Sequence, residues 1–146
     1  MRIRRPRRPR HFQPADSAQQ IVGGFLLAGP FVVTEEVWLL AASMNLYQAF
    51  ATVLVVVGIG YGTLYKADTE RDPDDEQDLV GVPIRFLSLM VVAFGSVTIL
   101  ALLFDAPDTF LDSVETRREL ALVTFKAVSV GSMFSVVGAA TADSLF

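Results

Sequence analysis

Long apolar runs divided by short polar segments set the character of this chain. Charges are clustered, and four stretches are almost free of them. An uninterrupted apolar stretch of about 18 residues or more predicts a membrane-crossing helix, whereas a soluble helix needs a charged face. The predicted spans run over about 21–43, 46–65, 83–104 and 119–142. None shows the period-two alternation of a membrane barrel strand. Backbone groups in hydrocarbon have no water to bond, so helices are the expected solution for all four. Only Met44 and Asn45 separate the first two spans, which predicts an antiparallel hairpin. Pro83 suits the first turn of the third span. The expected fold class is all-α, an integral membrane four-helix bundle of residues 18–146, preceded by a basic tail over 1–17.

Charge supplies the orientation. Six of the twelve basic residues lie in the first ten positions: Arg2, Arg4, Arg5, Arg7, Arg8 and Arg10. With Lys66, Arg71 and Arg85 they put nine positive charges on one side of the membrane, against Arg117 and Arg118 on the other. The side richer in Lys and Arg stays cytoplasmic. Both termini are therefore expected in the cytoplasm, with Trp38 at the outer interface and Tyr61 and Tyr65 at the inner one. The expected location is the cell membrane, crossed several times. A cleaved signal peptide is not expected, because the first apolar segment is too long and is interrupted by Glu35 and Glu36.

Composition narrows the chemistry. The chain has no cysteine, and its single histidine, His11, lies in the tail. His- or Cys-ligated haem, iron–sulfur, zinc and copper centres within the membrane lack ligands, so no cofactor or metal is expected. No Ser–His–carboxylate set or phosphate loop is present, and no enzyme is expected. The acidic loop at about 66–82 lacks the spacing and glycine of an EF-hand and reads as a solvated face. Beyond the first ten residues there are six basic and sixteen acidic side chains, a balance that suits a halophile. The basic tail could in principle hold nucleic acid. Beside a span its expected partner is the bilayer, with Arg4, Arg5, Arg7 and Arg8 on anionic headgroups.

Three ionisable residues fall inside spans: Glu35, Glu36 and Lys126. Each costs about 2.5–3.5 kcal/mol on insertion scales, so each is a candidate ion or proton site. Counted at roughly 1.5 Å per residue, all three lie roughly 5–6 Å into the outer half, a depth that permits a carboxylate–ammonium pair. Glu35 shares a face with Gly24, Ala28, Phe31 and Trp38, which points it into the bundle, while Lys126 lies opposite the small residues of its own span. Pro30 predicts a kink in the first span. Gly58 and Gly62 form a G-x-x-x-G face, and Gly131 and Gly138 lie on the small face of the last span. All four are expected helix-packing positions.

The stretches GGFLLAGPFVVTEEVW at 23–38 and TFKAVSVGSMFSVVGAATADS at 124–144 resemble a family of small integral membrane proteins known only as a domain of unknown function, in the version found in halophilic archaea. The matching positions are Pro30, Glu36, Trp38, Lys126 and Gly138. The resemblance implies a membrane protein without an assigned activity, and its E-x-W context favours Glu36 over Glu35. Small multidrug transporters offer an analogy, with a glutamate in the first of four spans. This chain departs from them in its acidic loop, basic tail and last-span lysine. Two functions follow as expectations. One is an oligomeric proton- or cation-linked transporter or channel using Glu35 or Glu36, because four helices enclose little interior. The other is a structural or accessory membrane protein whose buried charges form an ion pair.

Overall fold

The computed structural model describes residues 12–67, 78–79, 81–110 and 116–145. The headgroup arginines Arg4, Arg5, Arg7 and Arg8 and most of the acidic loop lie outside the described residues.

Helix α1 spans Pro14–Val32. It starts seven residues before the predicted span, inside the stretch assigned to the tail. The cause is local: Pro14 occupies the first helical turn, where its missing N–H costs nothing, and the Asp16 carboxylate accepts the Gln13 N–H at 2.9 Å. Helix α2 spans Glu35–Ser43, and α3 spans Leu46–Gly62, continued by a wider π turn over Thr63–Ala67. Asn45 caps α3: its Oδ1 accepts the Gln48 N–H at 2.8 Å while Gln48 Oε1 accepts the Asn45 N–H at 2.9 Å. A two-residue antiparallel pair joins β1 (Asp78–Leu79) to β2 (Val82–Pro83). Helices α4 (Ile84–Leu103), α5 (Ala106–Phe110) and α6 (Arg117–Leu145) complete the chain.

Helices α3, α4 and α6 are each long and apolar enough to cross a membrane. The predicted first span is not one continuous helix. It divides into α1 and α2, which meet at 81°. Pro30 leaves the Leu26 carbonyl without its helical donor, and β-branched Val32, Val33 and Thr34 follow. Thr34 is extended, and its hydroxyl donates to the Phe31 carbonyl at 2.9 Å. The buried Trp38 indole then donates Nε1–H to the Val32 carbonyl at 3.0 Å. Two side chains thus satisfy carbonyls that the break exposes.

Helix α6 is the centre of the packing and touches α1, α2, α3 and α4. Its closest partner is α1. A Cβ on Gly23 would collide with the Gly138 carbonyl oxygen, and one on Gly138 would collide with that of Gly23. Glycine at both positions lets the two backbones touch. One core cluster gathers Ala28, Val32, Trp38, Val97 and Val128 toward the α1–α2 break; the other gathers Val56, Leu64, Leu89, Val136 and Ala139 toward the start of α4 and the end of α6. Helix α3 is peripheral: 17% of its apolar window is buried, against 44% for α6. Its Tyr47, Phe50 and Leu54 stand outward, a patch suited to lipid rather than water.

Candidate functional site

The starts of α1 and α4 and the end of α6 converge. Helix α1 contributes Asp16, Ser17 and Gln20, α4 contributes Arg85 and Ser88, and α6 contributes Asp143. Spacings of three and four residues put Asp16, Ser17 and Gln20 on adjoining positions of one face, and likewise Arg85 and Ser88. Arg85 Nη1 donates to Asp143 Oδ1. The second Asp143 oxygen accepts Gln20 Nε2–H at 3.1 Å. Ser88 Oγ–H donates to Gln20 Oε1 at 2.7 Å, and Ser17 Oγ lies 2.9 Å from Ser88 Oγ. Arg85 also reaches Asp16 at 3.4 Å, and its guanidinium lies 5.3 Å from the Phe12 ring centroid. The Arg85 and Asp143 side chains are 4% and 0% exposed. Both carboxylate oxygens are engaged, so the charge of Asp143 is matched by a cation and by oriented donors.

Asp143 stands one residue beyond the predicted last span, at an end where a carboxylate is expected to reach water. It does not reach it, because α1 and α4 close over it through Gln20 and Arg85. Gln20 was missed and Arg85 served only for topology. Their signal was the recurrence of polar residues at helical spacing at three span ends, which takes on meaning only once those ends are known to meet.

Glu35 and Glu36 are both exposed, in the first turn of α2, where the positive end of a helix dipole favours acids. The expectation that Glu35 faces the bundle is corrected: the break resets the helical phase, so the buried face of α1 does not continue into α2. Lys126 pairs with neither glutamate. Its Nζ donates to the Met44 carbonyl at 2.7 Å, capping the C-terminal end of α2. Pro30 lies on the exposed side of α1, two residues before its end. The glycines divide. A Cβ on Gly131 would sit 2.8 Å from Val97 Cγ1, so Gly131 and Gly138 lie in tight helix contacts. Gly58 and Gly62 face open space, and it is Gly60 that admits Met90 and Leu89. Among the described residues, therefore, nothing packs against Gly58 or Gly62. Among the described residues no cluster of potential metal ligands occurs.

A helical chain with three or four apolar elements of spanning length, a lipid-suited outer face and a polar network sealed among its helices is an integral membrane protein. Residues 6–142 match the model of the family described as "Putative integral membrane protein (DUF2391)", and the chain belongs to that family. No curated protein and no solved structure matches it.

Proposed function

We propose that this is a non-catalytic structural or accessory membrane protein, in which buried charges fix the register of α1, α4 and α6. The observation that supports this is the closed Arg85–Asp143–Gln20–Ser88 network. The buried Asp143 carboxylate is answered by the Arg85 guanidinium, and Gln20 and Ser88 complete the set. A conduction site needs a group that exchanges protons or ions with water, and a dry, paired carboxylate opposes that exchange. On this reading the arginine-rich tail holds anionic headgroups on the cytoplasmic face.

A second reading is favoured by one feature, the adjacent carboxylates of Glu35 and Glu36 standing exposed beside the 81° break. If a second copy covers them, they become intramembrane groups at a subunit interface, and the protein is a proton- or cation-linked transporter or channel. Flux measurements in proteoliposomes decide between the two. Proton, sodium and potassium gradients are imposed in turn on the native chain, Glu35→Gln and Glu36→Gln. The structural reading expects no flux above empty liposomes. Flux that vanishes in one glutamine variant of unchanged fold would overturn it and establish the second.

A further inference from the structure

Away from the polar network, at the opposite end of the helices, a cavity of about 620 Å³ opens between the end of α4, α5 and the first turns of α6. Its volume lies within the range of small-ligand sites. Its lining is graded along the axis of α6. Asp105, Asp108 and Arg117 stand at the mouth, beyond the last residue of α4 and at the first of α6. Leu102, Phe125 and Val128 line the depth. Arg117 and Val128 are eleven residues apart on one helix, so the gradient extends over roughly 16 Å, from the level of the headgroups into hydrocarbon. The threonines of the wall add little polarity. Thr98 and Thr124 spend their hydroxyl protons on the Phe94 and Leu120 carbonyls of their own helices, both at van der Waals-tight hydrogen-bond lengths of 2.8 and 2.7 Å.

From this grading we infer that the cavity holds one chain of a membrane phospholipid with a primary-amine headgroup: acyl chain against Leu102, Phe125 and Val128, phosphate toward Arg117, ammonium toward Asp105 and Asp108. Charge complementarity selects the occupant. A single arginine beside two carboxylates suits a zwitterion whose anionic and cationic groups lie close together, and it disfavours a purely anionic headgroup. The backbone at Asp105 is left-handed, with φ 54°, and this turn starts the short helix that carries Asp108. Asp108, through its side-chain hydrogen bonding and its charge, holds the Asp105 carboxyl above the ordinary carboxylate range. An ammonium placed beside them would relieve this repulsion. The inference does not depend on whether the chain moves ions.

The chain carries its own reporter. Trp38 is its single tryptophan and packs in one cluster with Val128, which lines the depth of the cavity. The full-length protein is reconstituted in phosphatidylcholine vesicles doped with acyl-brominated phosphatidylethanolamine or, separately, acyl-brominated phosphatidylglycerol. Quenching of Trp38 is then followed against mole fraction. The amine lipid is expected to reach half-quenching at a roughly threefold lower mole fraction, the weight of a few exposed charge contacts. The Asp105→Asn/Asp108→Asn variant should bring the two curves together, as should Ala121→Phe, which fills the cavity from an exposed wall position. Coincident curves in the native chain would overturn the proposal, as would a preference for phosphatidylglycerol. A preference that survives in either variant would overturn it too, since the lipid would then be bound elsewhere on the surface.

Discussion

Removing one partner of the Arg85–Asp143 pair should destabilise the protein far more than removing both. Arg85→Met leaves Asp143 buried, with 0% of its side chain exposed and the Gln20 amide still donating to it, but without the guanidinium. Breaking a buried pair in this way costs about 3–5 kcal/mol. Asp143→Asn is milder. Its amide oxygen can still accept from Gln20, and Arg85 keeps Asp16 at 3.4 Å and the Phe12 ring, so about 1–3 kcal/mol is expected. The apolar double variant Arg85→Met/Asp143→Leu leaves only the partly exposed Asp16 without its partner and should return to within about 1–2 kcal/mol of the native chain. The assay is equilibrium unfolding in mixed micelles. Trp38 fluorescence is the signal, and because Trp38 lies in the other core cluster, it reports global unfolding. With Asp143→Leu as the second single variant, the double-mutant cycle should give a coupling of at least about 2 kcal/mol. If the two losses add to within about 0.5 kcal/mol, the pair is energetically uncoupled, and the structural role assigned to it is wrong.

Other substitutions test separate parts of the fold. Gly23→Ala drives a methyl into the Gly138 carbonyl and should cost about 1–3 kcal/mol in the same unfolding assay, whereas Gly58→Ala meets open space and should be neutral or gain up to about 1 kcal/mol from helix propensity. Size-exclusion chromatography of Gly58→Ala adds a check on assembly, since a shift in oligomeric state would place that face at a contact between copies. Trp38→Phe retains the ring but leaves the Val32 carbonyl at the helix break without its donor; a loss of about 1–3 kcal/mol is expected in thermal or chemical unfolding read by circular dichroism. The raised Asp105 carboxyl gives a pH dependence of known sign. Its stabilising contribution is fully present below the ordinary carboxylate range and is lost as pH rises through its folded-state value, so unfolding temperature should fall across that window. Asp105→Asn keeps a side chain that tolerates the left-handed backbone and should flatten that fall; an unchanged slope would refute the assignment.

The sequence by itself determined what depends on composition and on neighbours along the chain. Apolar runs of spanning length specify membrane helices because hydrocarbon leaves the backbone no alternative. The Asn45–Gln48 cap and the helix start after Pro83 are local bonding and steric effects, complete within a few residues. The lack of cysteine, and of any histidine beyond position 11, limits metal and redox chemistry in any fold. Tertiary structure decided which polar groups meet. Pro30 marks the neighbourhood of the break but not its 81° angle, and that angle carries Glu35 and Glu36 off the phase of α1. Lys126 has matching depth with the glutamates, yet depth is one coordinate of three. Its partner, the Met44 carbonyl, is a backbone group that residue types do not reveal. Gly58 and Gly62 carry a packing motif and meet none of the described residues, while Gly23 meets Gly138 because α1 and α6 lie in backbone contact. Gln20, Arg85 and Asp143 are separated by 65 and 58 positions. At their own span ends each looks like a residue reaching for water. Only the convergence of three helix ends removes that water and joins them in one sealed network, because burial and charge pairing are properties of neighbours in space.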